Sequence, residues 1–131
     1  MATVTCFEEL KVWQEARGLV KRVYAASKQQ ALCRDVSLRN QVRSAATSTM
    51  SNIAEGFERG TRKEFIHFLN IAKGSNGEVR SQLYVALDQE YSSSQAFEEL
   101  KRISMTLSRR IAKFIKYLES CRGNRRIREN P

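Results

Sequence analysis

Positive charge is the chemistry that the spacing of this sequence advertises most plainly. Between Glu99 and Glu119 lie six basic residues and no acid: Lys101, Arg102, Arg109, Arg110, Lys113 and Lys116. Leu100, Ile103, Leu107, Ile111, Phe114 and Leu118 recur in the same stretch at the spacing of one helix face. At about 100° per residue, Arg102, Arg109, Lys113 and Lys116 fall within roughly 60° of one another, opposite that apolar face. A rod with a core stripe on one side and unneutralised cations on the other suits the phosphates of a polyanion. The same row also suits a solvated face that keeps a protein in solution. Further candidate phosphate contacts are Arg39 and Arg43, in a second acid-free stretch between Asp35 and Glu55. Arg122, Arg125, Arg126 and Arg128, in the last ten residues, complete the set. Such contacts give affinity without sequence readout. Most aromatics are claimed by the core, so base stacking is not the expected mode. Recognition of shape and charge, with structured RNA as the partner, is.

Other chemistries find little to work with. His67 is the only histidine and sits among Phe65, Ile66 and Phe68, with no thiol or second imidazole spaced to join it on a metal. There is no nucleophile elbow, P-loop or dinucleotide fingerprint. Asp35 and Asp88 are the only aspartates. No catalytic residue, cofactor, metal or small-molecule substrate is expected. Cys6, Cys33 and Cys121 are odd in number and scattered, which predicts reduced thiols and a cytoplasmic protein. The first residues are too short and polar a stretch for a secretory signal, and no run of about 18 apolar residues exists to span a membrane.

A polar line runs beside the apolar stripe of the second helical segment: Gln41, Ser48, Asn52, Glu55 and Arg59. Glu55 and Arg59 are an i,i+4 pair in the favourable order. A continuous amide, hydroxyl and carboxylate line at a core edge suits a half-buried contact that fixes helix register or faces another subunit. A ligand contact is the alternative.

The elements that must carry these residues are long helices. The chain has 131 residues, a net charge of +9 and an isoelectric point of about 9.9, which suits one basic domain. Its single proline is the last residue, so only glycine and polar clusters punctuate the interior. Four helices are expected at about 6–30, 36–58, 62–91 and 95–120, within a domain over 1–121. Thr5-Cys6-Phe7-Glu8 reads as a capping box for the first, with Leu10, Trp13, Ala16, Val20, Val23 and Tyr24 turned inward. Residues 31–36 form a short link, and Asp35 or Ser37 caps the second helix. That helix turns Leu38, Val42, Ala45, Thr49, Ile53 and Phe57 inward. Its many small residues let a neighbour approach closely, and glycine stops it over residues 56–60. Thr61-Arg62-Lys63-Glu64 is a second capping box. The register of Phe68, Ala72, Ser75 and Val79 favours an unbroken third helix through Gly74-Ser75-Asn76-Gly77, over a loop there. Each interior glycine costs roughly 1 kcal/mol against alanine, which close packing must offset. In the fourth, Phe97, Leu100, Ser104, Leu107, Ile111, Phe114 and Leu118 form a heptad seam. Short links between four long helices imply an all-α, antiparallel up-down four-helix bundle. The tail over 122–131 lacks periodicity and is expected to be disordered in isolation.

The run Asn40-Gln-Val-Arg-Ser-Ala-Ala-Thr-Ser-Thr-Met-Ser-Asn-Ile-Ala-Glu-Gly-Phe-Glu-Arg59 resembles a known family. Glu64-Phe65, Phe68-Leu69, Ile71-Ala72, Gly74-Ser75 and the opening Phe7-x-x-Leu10-x-Val12-Trp13-x-x-Ala16 extend the likeness. The family is that of four-helix bundle proteins encoded in intervening sequences of bacterial 23S ribosomal RNA genes, the S23 proteins. The accessory variability protein of diversity-generating retroelements is a relative. The likeness covers roughly residues 7–118. It implies an up-down bundle assembling as a homopentameric ring, a basic surface for nucleic acid, and no catalysis. Asn52, Glu55, Gly56 and Arg59 match the family's motif. The Phe-Pro step that relatives often carry near residues 33–36 is missing, and the Arg-rich tail lies outside the likeness. An adaptor module gripping an acidic protein partner is the competing reading of the same cations. Attachment to an anionic membrane surface is weaker still, because the basic helix has no bulky apolar face left once its seam is buried.

Overall fold

The computed structural model describes residues 3–121. Among them the chain forms a single-turn 3-10 helix at Phe7–Glu9, then α1 (Lys11–Ser27), α2 (Gln30–Arg34), α3 (Val36–Glu58), α4 (Arg62–Asp88) and α5 (Ser94–Ser120), with no strand. The four long helices pack as a bundle. α1 lies against α3 and α5, and α4 lies against α3 and α5.

Local chemistry sets most boundaries. Asp35 takes the amide of Leu38 at 3.1 Å, Thr61 that of Glu64 at 3.2 Å and Ser93 that of Ala96 at 3.1 Å, each satisfying an orphan donor of a helix start. Gly60 follows α3 with φ of +84°, the left-handed conformation open to glycine. α4 ends three residues before the expected Tyr91. The amide of Glu90 reaches Leu87 O and that of Tyr91 reaches Ala86 O, with Glu90 left-handed at φ +61°, a Schellman closure made without glycine. The closure turns Tyr91 back so that its hydroxyl donates to Asp35 Oδ2 at 3.1 Å.

The start of the chain departs from expectation. No helix begins at residue 6. Leu10 is extended (φ −72°, ψ 127°), so α1 starts at Lys11. Thr5 donates to Glu9 Oε1 at 2.7 Å instead of capping a helix. The break lets Leu10 bury completely and lays the Phe7 ring 5.1 Å from Trp13. α1 buries Trp13, Ala16 and Val23 as expected and adds Val12 and Leu19, while Val20 is only half-buried and Tyr24 is exposed. The link over 31–36 is largely helical, because α2 buries Leu32 against Leu38 and Ala86.

α5 buries the whole heptad seam, Phe97 through Leu118. Phe65 and Phe114 meet edge to face at 5.4 Å where α4 and α5 pack, and Phe57 meets Phe65 at 5.9 Å. α3 and α4 approach closely at Gly56. A Cβ there would lie 2.7 Å from Cβ of Phe68 and 3.0 Å from Cδ1 of Phe65. Gly56 is thus buried inside α3 and serves close approach; it is not part of the stop signal. α4 runs unbroken through residues 74–77, but its glycines are not held by tight packing. A Cβ at Gly74 would meet nothing within 4 Å, and one at Gly77 would meet only the Arg80 guanidinium, at 3.8 Å. What ties α4 to α5 here is Asn76, fully buried. Its amide donates to Ser104 O at 2.8 Å and accepts from Ser104 Oγ at 2.7 Å. No helix of the described residues is long and apolar enough to cross a membrane.

Candidate nucleic-acid interface

α5 has neighbours on two flanks and solvent on its outer side, and its six cations divide accordingly. On the α1 flank, Arg110 pairs with Glu15 at 3.0 Å, and Glu99 accepts from Arg22. On the α4 flank, Lys101 lies 5.7 Å from the Tyr84 ring and 5.9 Å from that of Phe97. The Tyr84 hydroxyl, with Glu98 adding to it, raises the Lys101 ammonium above its ordinary value. Arg102, Arg109, Lys113 and Lys116 take the outer side. All four are exposed, and none has a carboxylate within ion-pair distance among the described residues. Their positions at i, i+7, i+11 and i+14 keep them on one line over about 21 Å, at 1.5 Å per residue. Neighbouring phosphates along one nucleic-acid strand are close enough together for such a line to meet several at once.

Arg39 and Arg43 do not join this row. They stand on α3, which packs mainly on α1 and α4. Arg39 is half-buried and donates to Cys33 O at 3.1 Å, closing the α2–α3 corner. Arg43 is half-buried, donates to Ser27 Oγ at 2.6 Å and stacks 4.7 Å from the Tyr24 ring. Both guanidiniums are engaged by the bundle itself. The tail positions Arg122, Arg125, Arg126 and Arg128 lie outside the described residues.

The polar line on α3 resolves into three separate pieces. Gln41 donates to Ser37 Oγ within its own helix at 2.9 Å. Ser48 meets Ser75 of α4 at 3.1 Å and takes the Asn52 amide at 3.0 Å. Arg59 bridges Glu55 at 3.2 Å and Glu64 of α4 at 3.8 Å, with its guanidinium 5.0 Å from the Phe68 ring. Two of the pieces therefore reach α4 and help hold it beside α3. Gln41, Ser44, Ser48, Ser75, Glu78 and Gln82 border a shallow α3–α4 groove of about 380 Å³, where Gln82 Oε1 is buried without a hydrogen-bond partner among the described residues. The groove has one carboxylate and no cation, so it is no seat for a phosphate.

A second concavity, of about 340 Å³, lies between α4 and α5 and is lined by Asn70, Lys73, Gly74, Arg80 and Ser108. Nothing in the periodicity pointed to it; the signal available was an interior glycine, Gly74, beside Lys73. His67 is exposed, with its ring against Phe68, and no cluster of metal-ligating side chains occurs among the described residues.

Comparison with known proteins agrees with this fold. The family model described as 23S rRNA-intervening sequence protein matches residues 8–113. No curated protein matches the chain. A solved structure from Bacteroides thetaiotaomicron, described as a protein of unknown function from the S23 ribosomal protein family, is similar with a TM-score of 0.73 at 23% identity. The match covers 80% of this chain and 98% of that one, a likeness of fold. With four-fifths of its length inside the family model and this bundle beneath it, the chain belongs to the 23S rRNA-intervening sequence protein family.

Proposed function

We propose that this chain is a non-enzymatic RNA-binding protein that holds the phosphate backbone against the outer face of α5. The observation that carries the reading is the row of Arg102, Arg109, Lys113 and Lys116, exposed and without carboxylate partners among the described residues. Of the α5 cations, Arg110 is paired with Glu15 on the α1 flank, and the four on the outer side stand in one line, where they act on a polyanion as a unit. The protein works as an up-down-up-down bundle closed into a homopentamer, as its family likeness suggests. Repeating the row in each copy multiplies weak contacts by avidity. Free thiols at Cys6, Cys33 and Cys121 suit the reducing cytoplasm.

Light scattering of the purified full chain, with absorbance at 260 and 280 nm followed before and after nuclease, tests the proposal. The expected result is a mass of five 15.1 kDa chains with bound RNA that nuclease removes. A monomer free of nucleic acid contradicts it. An acidic protein that stays bound after digestion favours the adaptor role instead.

A further inference from the structure

The glycines of α4 are unexplained by the bundle. Alanine is the better helix former, and neither Gly74 nor Gly77 is forced by a neighbour: a methyl at Gly74 points into open space, and one at Gly77 meets only Arg80 at ordinary contact distance. The open space at Gly74 gives onto the concavity between α4 and α5, which Gly77 does not line. Its chemistry is one-sided. Arg80 and Lys73 line it with the Ser108 hydroxyl and Asn70, and no carboxylate does. Arg80 is also held in place. Its Nη1 donates to Ser104 Oγ at 3.1 Å, and Ser104 is locked to the buried Asn76 at 2.7 Å. A half-buried guanidinium anchored at one nitrogen leaves its other donors oriented in advance, which lowers the ordering cost of gripping an anion. Ser108 and Arg109 are successive residues of α5, about 100° apart around it, so the concavity lies on the α4 flank of the helix, to one side of the cationic row.

We propose that this cleft seats a backbone phosphate of the bound RNA on Arg80 and Lys73, with Gly74 keeping the helix surface low enough for the strand to enter. The inference rests on the α5-face reading and adds a second, concave contact to it. Its signature is that one substitution moves two properties in opposite directions. Gly74→Ala and Gly74→Leu both improve helix propensity, so each should raise Tm by about 3–5 °C. Each should also weaken binding of a labelled RNA hairpin to the full chain, Gly74→Leu by about tenfold and Gly74→Ala by less. Lys73→Gln, on the exposed rim, should weaken hairpin binding with Tm unchanged. Raised Tm and unchanged hairpin affinity in both Gly74 variants, with Lys73→Gln also silent, overturns the cleft and leaves the α5 row intact. Loss of inorganic tripolyphosphate binding alone, with the hairpin unaffected, assigns the cleft to a free polyphosphate and overturns it as an RNA contact. Failure of the unaltered chain to bind the hairpin removes both readings together.

Discussion

α3 and α5 each carry an acid-free stretch with arginines in it, and the bundle uses them in opposite ways. On α3, Arg39 and Arg43 turn into the protein, one onto a carbonyl at the α2–α3 corner, the other onto Ser27 and the Tyr24 ring. On α5, four of six cations face solvent with no carboxylate beside them among the described residues. Local charge content does not distinguish the two. What does is the position of each cation around its helix relative to the neighbouring helices. Arg43 sits at the α1 seam, where a hydroxyl and an aromatic face await it, whereas Arg109 and Lys113 sit diametrically opposite the seam. A basic stretch is evidence for a polyanion site only after its flanks have been accounted for.

The contrast can be broken by substitution. The largest effect is expected from Arg109→Glu with Lys113→Glu, which should reduce RNA affinity by about 100-fold at low salt while leaving Tm within a few degrees, because both side chains are exposed. Gly56→Ala should destabilise by about 1–3 kcal/mol in a denaturant titration, since its methyl has no room against Phe68, and should leave the salt dependence of binding alone. Arg43→Ala should cost about 1 kcal/mol of stability through the lost Ser27 bond and ring stacking, with RNA affinity changed less than threefold. If Arg43→Ala instead weakened RNA binding as much as the α5 reversal, the division between the two helices would be wrong. The smallest effect concerns pH. The Asp35 carboxylate raises the Tyr91 hydroxyl above its ordinary value of 10.0. A raised pKa means that the contribution is fully present below the unfolded value and is lost as pH rises through the folded one. The stability gap between the unaltered chain and Tyr91→Phe should therefore be constant through neutral pH and close above about pH 10.

The sequence made some of this legible for clear reasons. The seam of α5 could be read because its apolar residues repeat at alternating steps of three and four over six turns, and the cationic row followed from the same geometry. The caps at Asp35 and Thr61 were legible as side-chain acceptors ahead of periodic runs. The entry to α1 was not, because an apolar residue, Leu10, takes the extended conformation there and nothing in its type signals a break. Gly56 was read as a stop signal since a glycine near a helix end resembles one; only the approach of Phe65 and Phe68 across the interface shows its other use. Asn76 gave no periodic signal at all. The register carried a helix through this glycine-flanked stretch, but nothing in it placed Ser104 of α5 against the amide. The α4–α5 cleft escaped for the same reason, because it is defined by two helices at once.

On the proposed reading, the exposed cations of α5 that lack carboxylate partners among the described residues hold a phosphate backbone. Hairpin binding by the full chain, measured across a range of salt for the unaltered protein and for Arg109→Glu/Lys113→Glu, addresses it most directly. Affinity should fall linearly on a log–log plot, and the double reversal should flatten the slope by about 0.7–0.9 for each phosphate contact removed. Binding insensitive to salt, or a slope that the reversal leaves untouched, would contradict it.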